Sequence, residues 1–350
     1  QKADKNIAEY PLYTRAQAHQ TADKMVPVNF DQTRFFGGSN GERVAITFHR
    51  AGHIAGAASI TLEYRHHKIF ISGDVLFTDQ KTLPGAQLPT EKVELMVLET
   101  TRGATIRPEG QNRKTETSRL LQTIKETFAH GGSTLIPIFA LGRMQEVLTV
   151  IHDALKSGEI PRMPIFASGL GIELAGEFDQ IARETKEIKF SRSILKSIPA
   201  RRPDHIFSPG KSPKNPALYL ASSGMLVEKT LSYTLATCLL HDAKNTICYT
   251  GYCDPDTPGG YILNSKPGDT LHFPGLDFKT KRNARIEQFD LSSHADREEL
   301  LDYAITCQPK NIILTHGDPD ARQWFTDQFK AQANKIKVIN PTPLKAVALL

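Results

Sequence analysis

The segment Ile69-Phe70-Ile71-Ser72-Gly73-Asp74 carries an apolar strand into a glycine-aspartate corner, and it organises the sequence on either side. Upstream, residues 58–64 alternate apolar and polar positions, which predicts a β-hairpin between the two segments. Downstream, residues 93–99 form a nearly continuous apolar run, as expected of a buried strand, and this run ends in Glu99. Residues 43–99 are therefore predicted to form a dense β region in which strands end in carboxylates.

Beyond residue 100, short strands alternate with helices. In the helix predicted over 115–129, Leu120, Ile124 and Phe128 recur on one face. The alternation continues to about residue 252, which predicts a mostly parallel sheet with helices on both faces. Residues 277–334 then return to strands followed by helices. We predict an α/β protein in which a second α/β unit interrupts the first.

The composition is that of a folded protein, since 39% hydrophobic and 23% charged residues exclude a disordered or fibrous chain. A length of 350 residues suggests two domains with separate cores. No run of ~18 apolar residues occurs, so no membrane-spanning helix is expected. Four cysteines without a CxxC pair exclude a disulfide scaffold or zinc ribbon and favour the cytoplasm as the location. The net charge of +5 allows an anionic partner.

Five residues at strand ends or in turns of small residues are candidates for chemistry: His53, Asp74, Glu99, His294 and His316. Catalytic groups in α/β sheets gather at the carboxyl ends of strands, and imidazole with carboxylate suits zinc. Taken singly, each also fits a turn former, a helix cap or an ion-pair partner. Spacing alone therefore leaves a metal site and purely structural roles open.

Seven motifs between residues 51 and 317 occur in family order and together resemble the β-CASP branch of the metallo-β-lactamase superfamily, a resemblance that covers about residues 43–340. They are AGHIAGAA (51–58), ISGD (71–74), LETTRG (98–103), IPIFALGRMQE (136–146), ASSGML (221–226), LSSHAD (291–296) and LTHG (314–317). The resemblance implies a metallo-β-lactamase αββα sandwich, incomplete at its N-terminus, with an inserted β-CASP α/β domain. We expect the sandwich in residues 1–103 and 291–350 and the insertion in residues 104–290.

By the same resemblance, His53 would bind one zinc ion, Asp74 would bridge two, and His316 would bind the second. The reaction implied is hydrolysis of RNA phosphodiester bonds by a water that the two metals activate. Glu99 would orient His294, which would protonate the leaving oxygen. In DNA-processing relatives the position of His316 is usually valine, so the resemblance favours RNA as the partner, with a DNA-processing nuclease as an alternative.

A basic stretch predicts where a polyanion would bind. Residues 186–214 hold eight basic and two acidic side chains, a net charge of +6, and Arg201 and Arg202 are among them. A solvated surface loop explains this stretch equally well. Arg143 at a helix start, and Ser222 and Ser223 after a strand, are further candidates for holding single phosphates.

The family's HxHxDH metal motif is absent from these 350 residues. We expect that the sequence is the C-terminal part of a longer enzyme, inactive in this form because its two-zinc site is incomplete. A metal-free paralogue that binds RNA as a scaffold is the alternative. The sequence does not fix the oligomeric state, and a homodimer is one candidate.

Overall fold

A computed structural model describes residues 13–37, 41–198 and 207–342. The strands are β1 (Arg34–Gly37), β2 (Arg43–Arg50), β3 (Ala58–Tyr64), β4 (His67–Ile71), β5 (Leu95–Glu99), β6 (Thr134–Pro137), β7 (Ile165–Ser168), β8 (Leu218–Ala221), β9 (Thr246–Tyr249), β10 (Thr270–Phe273), β11 (Phe278–Lys281), β12 (Arg285–Gln288), β13 (Asn311–Thr315) and β14 (Lys337–Ile339). The helices are α1 (Arg15–Ala22), α2 (Arg113–Ala129), α3 (Arg143–Ser157), α4 (Leu170–Glu173), α5 (Ala175–Thr185), α6 (Ile194–Ser197), α7 (Leu231–Leu239), α8 (Pro258–Leu263), α9 (Arg297–Thr306) and α10 (Pro319–Gln332), with a 3₁₀ turn at Pro274–Leu276. Within these ranges, no helix has the length and apolar content needed to cross a membrane.

The first sheet has seven strands in the order β1-β2-β3-β4-β5-β13-β14. Its first four strands are antiparallel, and the predicted hairpin between β3 and β4 is confirmed, with Arg65 in the left-handed region at its turn. From β4 to β14 the strands are parallel. The chain leaves this sheet after β5 and returns to it at β13, so the neighbours β5 and β13 are far apart in sequence.

The second sheet has five strands, and all of its residues lie between β5 and β13 in the chain. Its strands are parallel in the order β12-β9-β6-β8-β7. Apolar residues of β6 and β8 point alternately to both faces, so Ile136 and Leu220 pack with α2 and α3 while Leu135 and Tyr219 pack with α7. This arrangement confirms an α/β unit inserted into another α/β unit.

Helices α9 and α10 cover one face of the seven-stranded sheet. There Met96 and Leu98 of β5 pack with Leu300, Phe325 and Phe329 in a fully buried cluster. The opposite face carries neighbouring apolar residues that are only half-buried, namely Ile71, Val97 and Ile313. The described residues thus supply one β layer and one helical layer of the predicted αββα sandwich.

A cluster of charged side chains ties together the two segments that connect the sheets. Arg102 donates two hydrogen bonds of 2.7 Å to Asp290, and Arg107 donates to Asp290 at 2.9 Å and to Asp296 at 2.5 Å. Burial opposes the ionisation of Asp290, but the two arginines outweigh it and lower the pKa of this carboxyl to about 2. The ionised cluster therefore fixes the inserted unit beside the strand ends of the first sheet.

Candidate functional site

Glu99, the last residue of β5, lies at the centre of the site and is 1% exposed. Its Oε1 accepts a hydrogen bond of 2.6 Å from the Val75 amide, and its Oε2 accepts one of 2.6 Å from the Thr101 hydroxyl. The same Oε2 lies 2.9 Å from Nδ1 of His294. Burial would raise the pKa of Glu99, but the hydrogen bonds from His294, Thr101 and Val75 outweigh it and lower that pKa. An ionised Glu99 fixes the imidazole of His294 through Nδ1 and leaves its Nε2 free for other contacts.

His53 is held in the same way through one ring nitrogen. Its Nδ1 lies 3.0 Å from the carbonyl oxygen of Ser293, and its Nε2 lies 3.9 Å from Oδ2 of Asp74. Burial, together with the nearby His294, lowers the pKa of His53 and favours the neutral imidazole. A neutral histidine that donates Nδ1–H to a carbonyl presents Nε2 as a lone-pair donor, which is the usual arrangement of a metal ligand.

Asp74 lies between His53 and His316 and is close to both imidazole rings. Its Oδ1 lies 3.1 Å from Nδ1 of His316, which also lies 2.9 Å from the Thr101 hydroxyl. Because β4, β5 and β13 are parallel neighbours in the sheet, the residues that end them or follow them converge at one edge. This explains how Asp74, Glu99 and His316 meet despite their separation in sequence.

Gly52 sets the position of His53. It has a φ of +76°, and a Cβ atom there would lie 2.3 Å from the carbonyl oxygen of Leu76 and 2.6 Å from the amide nitrogen of Ala86. No other residue type fits both the left-handed backbone and this close approach. The glycine of the AGH turn is therefore required by packing against the loop that follows Asp74.

The ligand atoms of the cluster are close enough to share a metal ion. One ligand atom each from Asp74, Glu99, His294 and His316 all lie within 4.8 Å of one another, and within the described ranges this is the one group of its kind. With His53 beside Asp74, the set offers imidazole nitrogen and carboxylate oxygen, which are zinc ligands. Glu99 is occupied by its hydrogen bonds and His294 is paired with Glu99, so three residues remain as candidate ligands: His53, Asp74 and His316. Three protein ligands and an open position suit one catalytic zinc, whereas a second ion would need further ligands.

The site opens into a cleft between the two units. A cavity of about 450 Å³ is bounded by His53, Asp74, His294 and His316 on one side and by residues after β6, β8 and β9 on the other. A second cavity of about 640 Å³ adjoins it and shares His294, His316 and Tyr252. Tyr252 is 57% exposed between the two. An extended ligand can therefore pass the cluster on both sides.

The structure does not place the predicted phosphate-binding residues together as an open anion site. Arg143 lines the cavity but is buried, and its guanidinium donates to the Leu291 carbonyl and to Gln80, while burial and the nearby Arg113 lower its pKa to about 10. Neither predicted serine lines the cavity, whose wall at this point is formed by Gly224. The Ser222 hydroxyl is buried and has no hydrogen-bond partner in the described part of the chain. The Ser223 hydroxyl accepts a hydrogen bond from the Val227 amide. Arg201 and Arg202 lie outside the described residues. Phosphate binding by these five residues stays a prediction.

Three contributors to the site were not singled out from the sequence. Thr101 bonds both Glu99 and His316. The amide nitrogen of Val75 and the carbonyl oxygen of Ser293 orient Glu99 and His53. Backbone groups carry no sequence signal, although a hydroxyl two residues after a strand-end carboxylate is a local cue that could have indicated Thr101.

Two family models match this chain. The model of the Beta-Casp domain matches residues 144–262, within the inserted unit. The model of the Zn-dependent metallo-hydrolase RNA specificity domain matches residues 279–341. These matches confirm the resemblance to the β-CASP branch of the metallo-β-lactamase superfamily that the motifs indicate.

Curated relatives match most of the chain. It is 27% identical over 312 residues to Probable RNase MJ4 of Methanocaldococcus jannaschii, covering 87% of this chain and 68% of that protein. It is 28% identical over 360 residues to Cleavage and polyadenylation specificity factor 73 of Drosophila melanogaster, covering 97% and 49%. It is 26% identical over 367 residues to Endoribonuclease YSH1 of Eremothecium gossypii, covering 98% and 45%. The chain thus spans about half the length of the two eukaryotic relatives.

Proposed function

We propose that the protein carrying this chain is a zinc-dependent ribonuclease that hydrolyses phosphodiester bonds in RNA. One observation carries the proposal: buried Glu99 is paired with half-buried His294, and this pair adjoins the metal-competent residues Asp74 and His316 at the wall of an open cleft. A held imidazole beside a metal site is the arrangement that phosphodiester hydrolysis needs, because both the phosphoryl charge and the leaving oxygen must be stabilised.

His53, Asp74 and His316 are the residues that would hold zinc, with Asp74 between the two histidines. Zinc supplies Lewis-acid chemistry, since it polarises a phosphoryl oxygen and lowers the pKa of water. A second zinc ion would need additional ligands from outside the described residues.

The chain's own residues supply the proton. The ribose oxygen is a poor leaving group unless it is protonated as the bond to phosphorus breaks. We infer that His294 donates this proton from Nε2, while ionised Glu99 holds Nδ1 and stabilises the charged imidazole. His294 then regains a proton from water before the next turnover.

RNA is the proposed substrate because the matched family model and the relatives are named for their action on RNA. The matched C-terminal model is named for RNA specificity, and the three relatives cited are named as ribonucleases or as a polyadenylation factor. His316, where the resemblance puts valine in DNA-processing relatives, agrees with this choice.

A non-catalytic RNA-binding scaffold is the second candidate, and a specific observation favours it. The sequence contains no HxHxDH string, and three ligands divided between two ions would leave each ion under-coordinated. The scaffold predicts RNA binding that depends neither on zinc nor on His294.

The experiment uses the full-length protein that carries this chain, loaded with zinc and incubated with matched RNA and DNA strands. We expect RNA cleavage that a chelator abolishes and zinc restores, with DNA cut at least tenfold more slowly. RNA binding without turnover at any zinc concentration would favour the scaffold. Equal or faster DNA cleavage would overturn the choice of substrate.

A further inference from the structure

The inserted unit holds the loop that carries His294. Residues 291–293 come directly before this histidine, and each of their backbone carbonyl oxygens meets a nitrogen of another side chain. Arg143 donates to the first carbonyl at 2.9 Å and Arg113 donates to the second, while Nδ1 of His53 lies 3.0 Å from the third. Arg113 begins α2 and Arg143 begins α3. Two of these three contacts on the loop therefore come from the inserted unit.

Arg143 also reaches the loop that carries His53. Its Nη2 donates a hydrogen bond of 2.8 Å to Oε1 of Gln80. The Nε2 of Gln80 in turn donates to the carbonyl oxygens of Gly52 at 2.8 Å and of His53 at 3.0 Å. Both Arg143 and Gln80 are buried. One guanidinium therefore connects the loop of the proposed acid with the loop of a proposed zinc ligand.

The start of α3 is itself packed against the first unit. Gly142 has a φ of +77°, and a Cβ atom there would lie 2.8 Å from Cγ2 of Ile54. One turn into the helix, the buried carboxylate of Glu146 accepts hydrogen bonds of 2.9 Å from the amides of Lys81 and Thr82. These contacts fix the start of the helix, and with it the guanidinium, relative to the first unit.

The chemistry of a guanidinium suits it to hold two loops. Its nitrogens lie in one plane and donate in fixed directions, so a single side chain can hold two acceptors at a set separation. Burial and the nearby Arg113 lower the pKa of Arg143 to about 10, so this side chain is still charged at neutral pH. A buried cation is costly unless hydrogen bonds compensate for its lost hydration. The two acceptors therefore cannot move away from the guanidinium without a large cost in free energy.

We propose that Arg143 is a positioning residue for RNA cleavage: it sets the separation between the loops of His294 and His53, with Arg113 as a second support of the His294 loop. The inference rests on the proposed function, in which His294 is the acid. Arg143 lines the cleft, but two of its nitrogens donate to the protein itself. Its removal should therefore slow the breaking of the bond and leave the affinity for RNA unchanged.

The first test measures steady-state cleavage of RNA by the zinc-loaded full-length protein. Arg143→Met removes the donors, Arg143→Lys keeps the charge without the planar fork, and Arg183→Met, which changes an exposed arginine of α5, is the control. We expect kcat to fall about 10²-fold in Arg143→Met, with KM within about twofold of the parent, because misplaced groups lower the rate rather than binding. Arg143→Lys should stay at least about tenfold below the parent, since an ammonium cannot hold both acceptors. A raised KM with an unchanged kcat would identify Arg143 as a phosphate contact and overturn the inference.

The second test needs no RNA. In protein labelled with ¹⁵N at histidine, the Nδ1–H proton of His294, hydrogen-bonded to Glu99, should give a downfield signal in the NMR spectrum. We expect Arg143→Met to shift or broaden this signal, and Arg183→Met to leave it as in the parent. An unchanged signal in folded Arg143→Met would contradict the inference. If Arg143→Met does not fold, Arg113→Met, which removes the donor to the second carbonyl, carries the same expectation for the signal and for kcat.

The two tests separate this inference from the proposed function. If the parent cuts RNA and Arg143→Met cuts it as well as Arg183→Met does, the inference fails alone. If the parent does not cut RNA, the proposed function fails, and the NMR signal still shows whether Arg143 fixes the imidazole of His294.

Discussion

Oε2 of Glu99 lies 2.9 Å from Nδ1 of His294, with the carboxylate buried and the imidazole facing the cleft. Glu99 ends β5, whereas His294 lies in the loop before α9, so the inserted unit separates the two residues in the chain. Their contact therefore exists only when the inserted unit leaves and returns to the first sheet at the observed positions. The proposed proton donor is therefore oriented correctly only in the folded protein.

Replacing Glu99 by glutamine should reduce RNA cleavage about 10²-fold and leave zinc binding intact, because the amide no longer stabilises a charged His294. Cleavage rate and zinc content of the same preparations give the two readouts. Glu91→Gln, which changes an exposed carboxylate, is the control. Full activity in Glu99→Gln would show that the carboxylate only supports the fold.

Removing a metal ligand should lower the amount of bound zinc. His53→Ala and Asp74→Ala are each expected to weaken zinc binding at least tenfold, with a corresponding loss of the rise in melting temperature that zinc confers. His130→Ala, at the exposed end of α2, should behave like the parent. The zinc content of each variant is measured by mass spectrometry. An unchanged zinc content in Asp74→Ala would show that Asp74 is not a zinc ligand.

Gly52→Ala tests whether close packing positions His53. The added methyl group would meet the Leu76 carbonyl at 2.3 Å, so we expect a loss of stability larger than that caused by backbone conformation alone. Gly56→Ala is the matched control, since Gly56 has a similar φ of +82° but open space around it. The control should cost about 1 kcal/mol in the free energy of unfolding, and Gly52→Ala at least twice that. Equal losses from the two substitutions would contradict the packing argument.

The charged cluster between the two units should make stability depend on pH in the acid range. The folded state holds the pKa of Asp290 at about 2, below its value of about 3.9 in an unfolded chain. The contribution of ionised Asp290 to the free energy of unfolding is therefore fully present above pH 4 and is lost as the pH falls toward 2. Asp290→Asn should lose roughly 2 kcal/mol of unfolding free energy at pH 7 and progressively less below pH 4. A difference between parent and variant that does not change with pH would contradict this origin.

Much of the site could be predicted because its residues follow local patterns. Asp74, Glu99 and His316 each end or follow an apolar strand, and His53 and His294 occupy turns of small residues. Such patterns depend only on residues that are neighbours in the chain, so they can be recognised from the sequence alone. The second α/β unit was predicted for the same reason, since its strands and helices alternate regularly.

Local patterns could not predict contacts between distant segments, and the Glu99–His294 pair was expected only from the family resemblance. The guanidinium of Arg143 meets Leu291 and Gln80, and neither partner is near it in the sequence. The short edge strands β1 and β14 carry too few residues for a period to be recognised. The domain limits, the phosphate contacts of Arg201 and Arg202 and the cytoplasmic location stay predictions.

The central claim is that His294 supplies a proton to the leaving ribose oxygen. It is tested most directly by cleavage of two RNAs that are identical except that sulfur replaces the leaving oxygen in one of them. A thiol has a pKa near 8.5, so its thiolate leaves without a proton. His294→Ala should cut the normal RNA about 10²–10⁴-fold more slowly than the parent, but the sulfur-containing RNA within about tenfold of it. Equal losses on both substrates, or no loss on either, would contradict the assignment of His294 as the acid.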